Sequence, residues 1–160
     1  MKLPEDPRDN DFPYTLPPGP FVYERVVRWG DSDPHQFVYT GRIPDMGLEA
    51  VEAFMKAVIG VNWYEIVLDQ GIGTPFVHLA CDFKSPVYPR GSLDIKVRIE
   101  RLGRSSITYD LKGYQQGDRL CFSGRYVCAF VHAVQMKPIS IPKSMRANLE
   151  RYVNAQDDSV

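Results

Sequence analysis

The sequence predicts an α+β domain in which one long helix lies across an antiparallel sheet. Three observations carry this. Residues 43–60, IPDMGLEAVEAFMKAVIG, have helical periodicity. Most of the chain after residue 74 reads as strand. The links between the later strands are short, as antiparallel neighbours require. A chain of 160 residues suits a single domain with a substantial core.

Taken in order, residues 1–20 hold six of the thirteen prolines. Proline lacks an amide donor and fixes φ, so this stretch predicts an extended arm that can pack on a partner subunit. Residues 21–160 form the single folded domain. In FVYERVVRW (21–29), Phe21, Tyr23, Val27 and Trp29 share one strand face, with Arg25 the exception. In the long helix Gly47, Ala50, Val51, Phe54, Met55, Val58 and Ile59 make one apolar stripe. Pro44 fits the first turn and Gly60 the stop. NWYEIVLDQ (62–70) predicts a short helix capped by Asn62 and ended at Gly71. TPFVHLACDF, SLDIKVRIERL, SSITYDLKGYQ and LCFSGRYVCAFVHAVQ predict four strands, with hairpin turns at Gly103-Arg104 and Gln116-Gly117-Asp118. PISIPKSMRANLERYV (138–153) ends the last strand and predicts a short closing helix.

Composition narrows the function classes. Net charge is −1, which offers no basic field to nucleic acid. No apolar run reaches the roughly 20 residues of a membrane helix. The opening MKLPEDPRDND has no apolar signal-like core, and three cysteines, Cys81, Cys121 and Cys128, are an odd set. The expected compartment is therefore cytoplasmic, with reduced thiols. Histidines and cysteines show no zinc spacing, so no metal is expected. Cys128 and His132 share a strand face but sit about 13 Å apart, too far for a catalytic dyad.

The stretch that asks for chemistry is RWGDSDPHQFVYT (28–40). Asp, Ser and Pro are turn formers, so a turn is the plain reading. The sharper one makes an aspartate a catalytic carboxylate beside the helix start. Free N–H groups and a positive dipole end are what a developing oxyanion needs. The residues alone leave open which of Asp31 and Asp33 has that role.

Four pieces in order, GDSDP before the helix, Trp63, GIGTPFV and RLGRSS, resemble the hotdog-fold acyl-CoA thioesterases, most closely the 4-hydroxybenzoyl-CoA thioesterase family, over about Val26 to Pro142. The resemblance implies a long central helix wrapped by a curved antiparallel sheet, a dimer or tetramer, and sites shared between subunits. It implies Asp33 as nucleophile or general base, with backbone N–H around Thr40 and Gly41 holding the thioester oxygen. Trp63 falls at the family's aromatic pocket position. Thr74 can hold the acyl group or the attacking water, and His35 can stand beside the substrate. Arg90, Arg101 and Arg104, near strand ends, can grip the phosphates of coenzyme A, since guanidinium suits phosphate. The expected substrate is an acyl-CoA, with an aromatic acyl group among the candidates and no cofactor. Gln36 departs from the pattern, which has Gly there. The family's acidic residue further along the helix falls at Leu48, with Glu49 its neighbour. An enoyl-CoA hydratase of the same fold and a non-catalytic acyl-CoA or apolar-ligand binder remain as alternatives.

Overall fold

A computed structural model describes residue 14 and residues 16–157. The expectation for the arm lies, at residues 1–13 and 15, outside the described residues. The elements are β1 (Phe21–Val27), a 3-10 turn (Trp29–Asp31), α1 (Arg42–Ile59), α2 (Trp63–Gln70), β2 (Ile72–Gly73), β3 (Phe76–Phe83), β4 (Gly91–Leu102), β5 (Ser106–Gln115), β6 (Arg119–Ala129), β7 (Val131–His132) and α3 (Lys143–Ala155). Five strands form one antiparallel sheet in the order β1-β4-β5-β6-β3, and β2 pairs with β7 apart from it.

The apolar stripe of α1 packs onto the sheet as its period demands. Ala50, Val51, Phe54, Val58 and Ile59 are fully buried. Phe54 sits at the centre, edge-on to Phe21, Tyr109 and Tyr152 with ring centroids at 5.7, 6.0 and 4.7 Å. Gly60 takes a left-handed φ of 76° and ends the helix. Asn62 caps α2 by accepting from the Glu65 amide, while Glu65 accepts from the Asn62 amide in return. The two hairpin turns fall where the sequence places them, joining β4 to β5 and β5 to β6.

Three expectations change. Trp29 leaves the strand face and is 92% exposed. The Asp31 carboxylate accepts from the Arg28 amide and tightens the chain into a 3-10 turn, which ends the alternation. The last long strand breaks at Phe130, because its neighbour β5 begins opposite Ala129 and offers no ladder beyond it. The closing helix α3 runs 13 residues and packs on α1 and β4. Its Asn148 amide donates to the Val58 carbonyl at 3.1 Å, and its Tyr152 hydroxyl donates to the Val97 carbonyl. Just past it, the Gln156 amide bonds both the N–H and the C=O of Ile99, at the bulge in β4.

Candidate active site

The loop between β1 and α1 is held by Asp31. This side chain is 3% exposed and receives bonds from the Arg25 guanidinium, the Arg28 amide at 2.7 Å and Arg42 at 3.2 Å. Arg25, the exception on its strand face, is buried for this reason, and its Nε also reaches Glu49 at 3.1 Å. Burial pushes the Asp31 carboxyl up, but the bonds from Arg25, Arg28 and Arg42 outweigh it and hold the pKa down at about 2. Asp31 thus ties β1, the loop and the helix start together. Glu49, engaged by Arg25, faces β1.

Two residues on, Asp33 is in a different state. Its Oδ1 accepts from the His35 amide at 2.8 Å, and its side chain is 21% exposed. Among the described residues Oδ2 has no hydrogen-bond partner. A tight turn frames it. Gln36 N–H donates to Asp33 C=O at 2.9 Å, Asp33 N–H donates to Phe37 C=O at 3.1 Å, and Ser32 bridges Val38. Gln36 closes the turn at φ 67°. A non-glycine residue there costs about 1–2 kcal/mol, which explains the Gly of the family pattern. His35 stacks on Phe37 at 5.6 Å and is largely exposed, with Nδ1 3.5 Å from Asp33 Oδ1.

The helix start lacks a side-chain cap. Arg42 and Ile43 donate to the carbonyls of Tyr39 and Thr40, and Pro44 has no N–H. Among the described residues the amides of Thr40 and Gly41 have no acceptor. Gly41 also lies so close to the Tyr39 ring that a Cβ would meet it at 2.5 Å. Beside this loop is a cleft of about 260 Å³ lined by Phe37, Thr40, Ile43, Phe83, Ser85 and Val87 among others. The C-terminal end of β3 therefore stands against the Asp33 loop.

The other site candidates lie elsewhere in the chain. Thr74 lies two residues before the start of β3 and Trp63 packs edge-on to Phe76 at 5.9 Å, so both stand at the opposite end of that strand. Seven residue steps separate Phe76 from Phe83, roughly 23 Å. Phe76 itself turns into the core against Tyr109 and Tyr126. Trp63 lines an apolar cleft of about 500 Å³ with Tyr64, Val67, Leu68 and Glu52, and its buried Nε1 has no partner among the described residues. The three arginines do not form one group. Arg90 precedes β4 at the Asp33 end, and Arg101 and Arg104 flank the β4–β5 turn, about 36 Å along the strand. Sequence reasoning missed the contribution of Phe83, Ser85 and Val87 to the Asp33 cleft. The pairing of β3 with β6 places Phe83 there, and bonds from Ser85 N–H to the Cys121 carbonyl and from Val38 N–H to the Val87 carbonyl place the other two.

A long helix against an antiparallel sheet is the hotdog arrangement of a thioester hydrolase. The chain belongs to the thioesterase-like superfamily, whose family model matches residues 27–149. A 1,4-dihydroxy-2-naphthoyl-CoA hydrolase of Synechococcus elongatus is 30% identical over 93 residues, covering 58% of this chain and 68% of that protein. The crystal structure of a thioesterase superfamily protein from Jannaschia sp. is 40% identical, with a TM-score of 0.79 over 87% of this chain and 98% of that one. A gentisyl-coenzyme A thioesterase structure is 26% identical, with a TM-score of 0.72 over 81% and 99% of the two chains. No described helix is long and apolar enough to cross a membrane.

Proposed function

We propose that this protein hydrolyses an aromatic acyl-CoA to the free acid and CoA, with Asp33 as the catalytic carboxylate. The observation that carries this reading is the state of Asp33. One oxygen is anchored by the His35 amide and the other is unengaged, on the loop that ends in the open amides of Thr40 and Gly41. Those amides would bind the oxygen of the thioester as it gains charge. Oδ2 would then attack the carbonyl carbon, expelling thiolate and leaving an anhydride for water to open. Alternatively it would take a proton from the attacking water. A thioester is already activated, so neither route requires a metal or a redox cofactor.

The acyl site is completed, in this reading, by a second copy of the chain. β3 is an edge strand, paired on one side with β6. Its Val77, Leu79 and Phe83 are 65%, 44% and 53% exposed, an apolar edge of the kind that invites strand pairing. Antiparallel pairing of β3 with its counterpart sets the Phe76 end of one copy beside the Phe83 end of the other. Trp63 and Thr74 then approach the Asp33 loop of the partner, which explains why one chain holds these residues apart. The same inversion brings Arg101 and Arg104 to the Asp33 end of the partner, about four strand spacings or roughly 19 Å from the partner's β3. That distance suits phosphates at the far end of a pantetheine arm. Arg90 would approach from the Asp33 chain itself. The unpartnered Trp63 Nε1 favours an acyl ring that carries an acceptor such as a hydroxyl, and two relatives are named for hydroxylated aromatic acyl-CoA substrates.

The test is thiol release from a panel of aryl, short-chain and long-chain CoA esters. Asp33→Asn is expected to keep fold and substrate binding and to lose roughly 10²-fold or more in kcat on the best ester. Undiminished thiol release by Asp33→Asn would remove Asp33 from the mechanism. Absence of thiol release by the wild type across the panel, with tight ester binding, would favour a carrier.

A further inference from the structure

Tyr126 is on β6, in the interior of the sheet, and is fully buried. Its hydroxyl links the sheet to the helix. It crosses to α1 and donates to the Pro44 carbonyl at 3.1 Å, in the first turn of the helix. The helix makes room for it. A Cβ at Gly47 would lie 2.5 Å from the hydroxyl and 2.8 Å from the ring. Cys81 of β3 stands 3.2 Å from the same oxygen. With the phenol proton on Pro44, the thiol is the donor in that contact. Burial, with Cys81 beside it, raises the Tyr126 pKa, so the hydroxyl keeps its proton.

Packing alone would be served by Phe, and without the hydroxyl position 47 would have more room. The chain instead combines a phenol, a glycine and a proline carbonyl at one point, three residues past the Gly41 amide. A polar group buried this deeply is retained at a desolvation cost that its hydrogen bonds must offset. Among the described residues its one hydrogen bond to α1 is with the first turn, just after the Thr40 and Gly41 amides. On the other side of that turn Asp31 grips Arg42. The first turn is therefore fixed from the sheet by Tyr126 and from the loop by Asp31.

We propose that Tyr126 is a positioning residue for the hydrolysis, setting the height of the α1 start over the sheet and so the aim of the Thr40 and Gly41 amides at the thioester oxygen. The inference rests on the reading that those amides hold that oxygen. A small shift of such donors lowers transition-state binding more than ground-state binding. Tyr126→Phe removes one oxygen and keeps the ring. It is expected to lower kcat on the preferred aryl-CoA by about tenfold, with KM changed less than about twofold, measured well below its melting temperature. Cys81→Ala leaves the Tyr126–Pro44 bond intact and is expected to keep kcat within about twofold. A Tyr126→Phe enzyme that only melts earlier, with kcat unchanged while Asp33→Asn is inactive, would overturn the proposal and leave the hydrolase reading standing. Equal loss of kcat in Cys81→Ala and Tyr126→Phe would also overturn it, because packing and not the bond to Pro44 would then be at work. Retained activity in Asp33→Asn would instead undermine the underlying site reading.

Discussion

Replacing Asp31 by Asn leaves the Arg25 guanidinium buried with only Glu49 to answer it. Breaking a buried pair in this way costs about 3–5 kcal/mol, against no more than about 1 for an exposed one. Asp31→Asn is therefore expected to lower the urea midpoint sharply at neutral pH while reducing kcat far less than Asp33→Asn. The acid limb gives a second readout. The native pKa of Asp31, about 2, lies below its unfolded value. Its contribution is thus complete above about pH 4–5 and disappears as the pH falls towards 2. Urea midpoints measured from pH 6 to pH 2.5 should fall more steeply in the wild type than in Asp31→Asn, and parallel curves would count against the assignment. At this scale much was legible in the sequence. The motif is contiguous, so its turn and the structural role of Asp31 follow from local chemistry, whereas the left-handed φ at Gln36 emerged only with the fold. The partners of Asp31 were not legible, because Arg25 reads as a blemish in an apolar alternation until the loop folds back over it.

Elements whose signals are local follow the sequence closely. The stripe of α1, its stop at Gly60, the Asn62 cap and both hairpin turns are decided by neighbours within a few residues. Elements decided by a distant partner do not. The strand after Leu120 ends at Ala129 because β5 begins at Ser106, and the bulge in β4 is filled by Gln156 from beyond α3. The placement of the arginines is likewise a property of β4 as a rod. Arg101→Ala and Arg104→Ala are expected to raise KM for a CoA ester several-fold with kcat less affected, as when uniform binding is lost. The same variants should act normally on a pantetheine thioester lacking the nucleotide phosphates. An equal loss on both substrates would dissociate these arginines from phosphate binding.

At the scale of the molecule, the sheet has two ends and the candidate site residues are divided between them. Asp33, Thr40, Gly41 and Arg90 stand at one, and Trp63, Thr74, Arg101 and Arg104 at the other. Sequence order is silent on which end of a strand a loop occupies, so this division emerged only with the topology. Pairing of β3 across two copies would join the two sets. A differently tagged pair, Asp33→Asn and Thr74→Trp, tests that union directly. The second change fills the acyl site with a large side chain. Each homomer is expected to release thiol slowly. In the doubly purified hetero-oligomer one site of two regains Asp33 from one chain and Thr74 from the other. Its thiol-release rate should return to about half that of the wild type, as two-fold symmetry requires. A hetero-oligomer no faster than its parents, or a wild type that sediments only as an 18.2 kDa species, would contradict a site shared between copies.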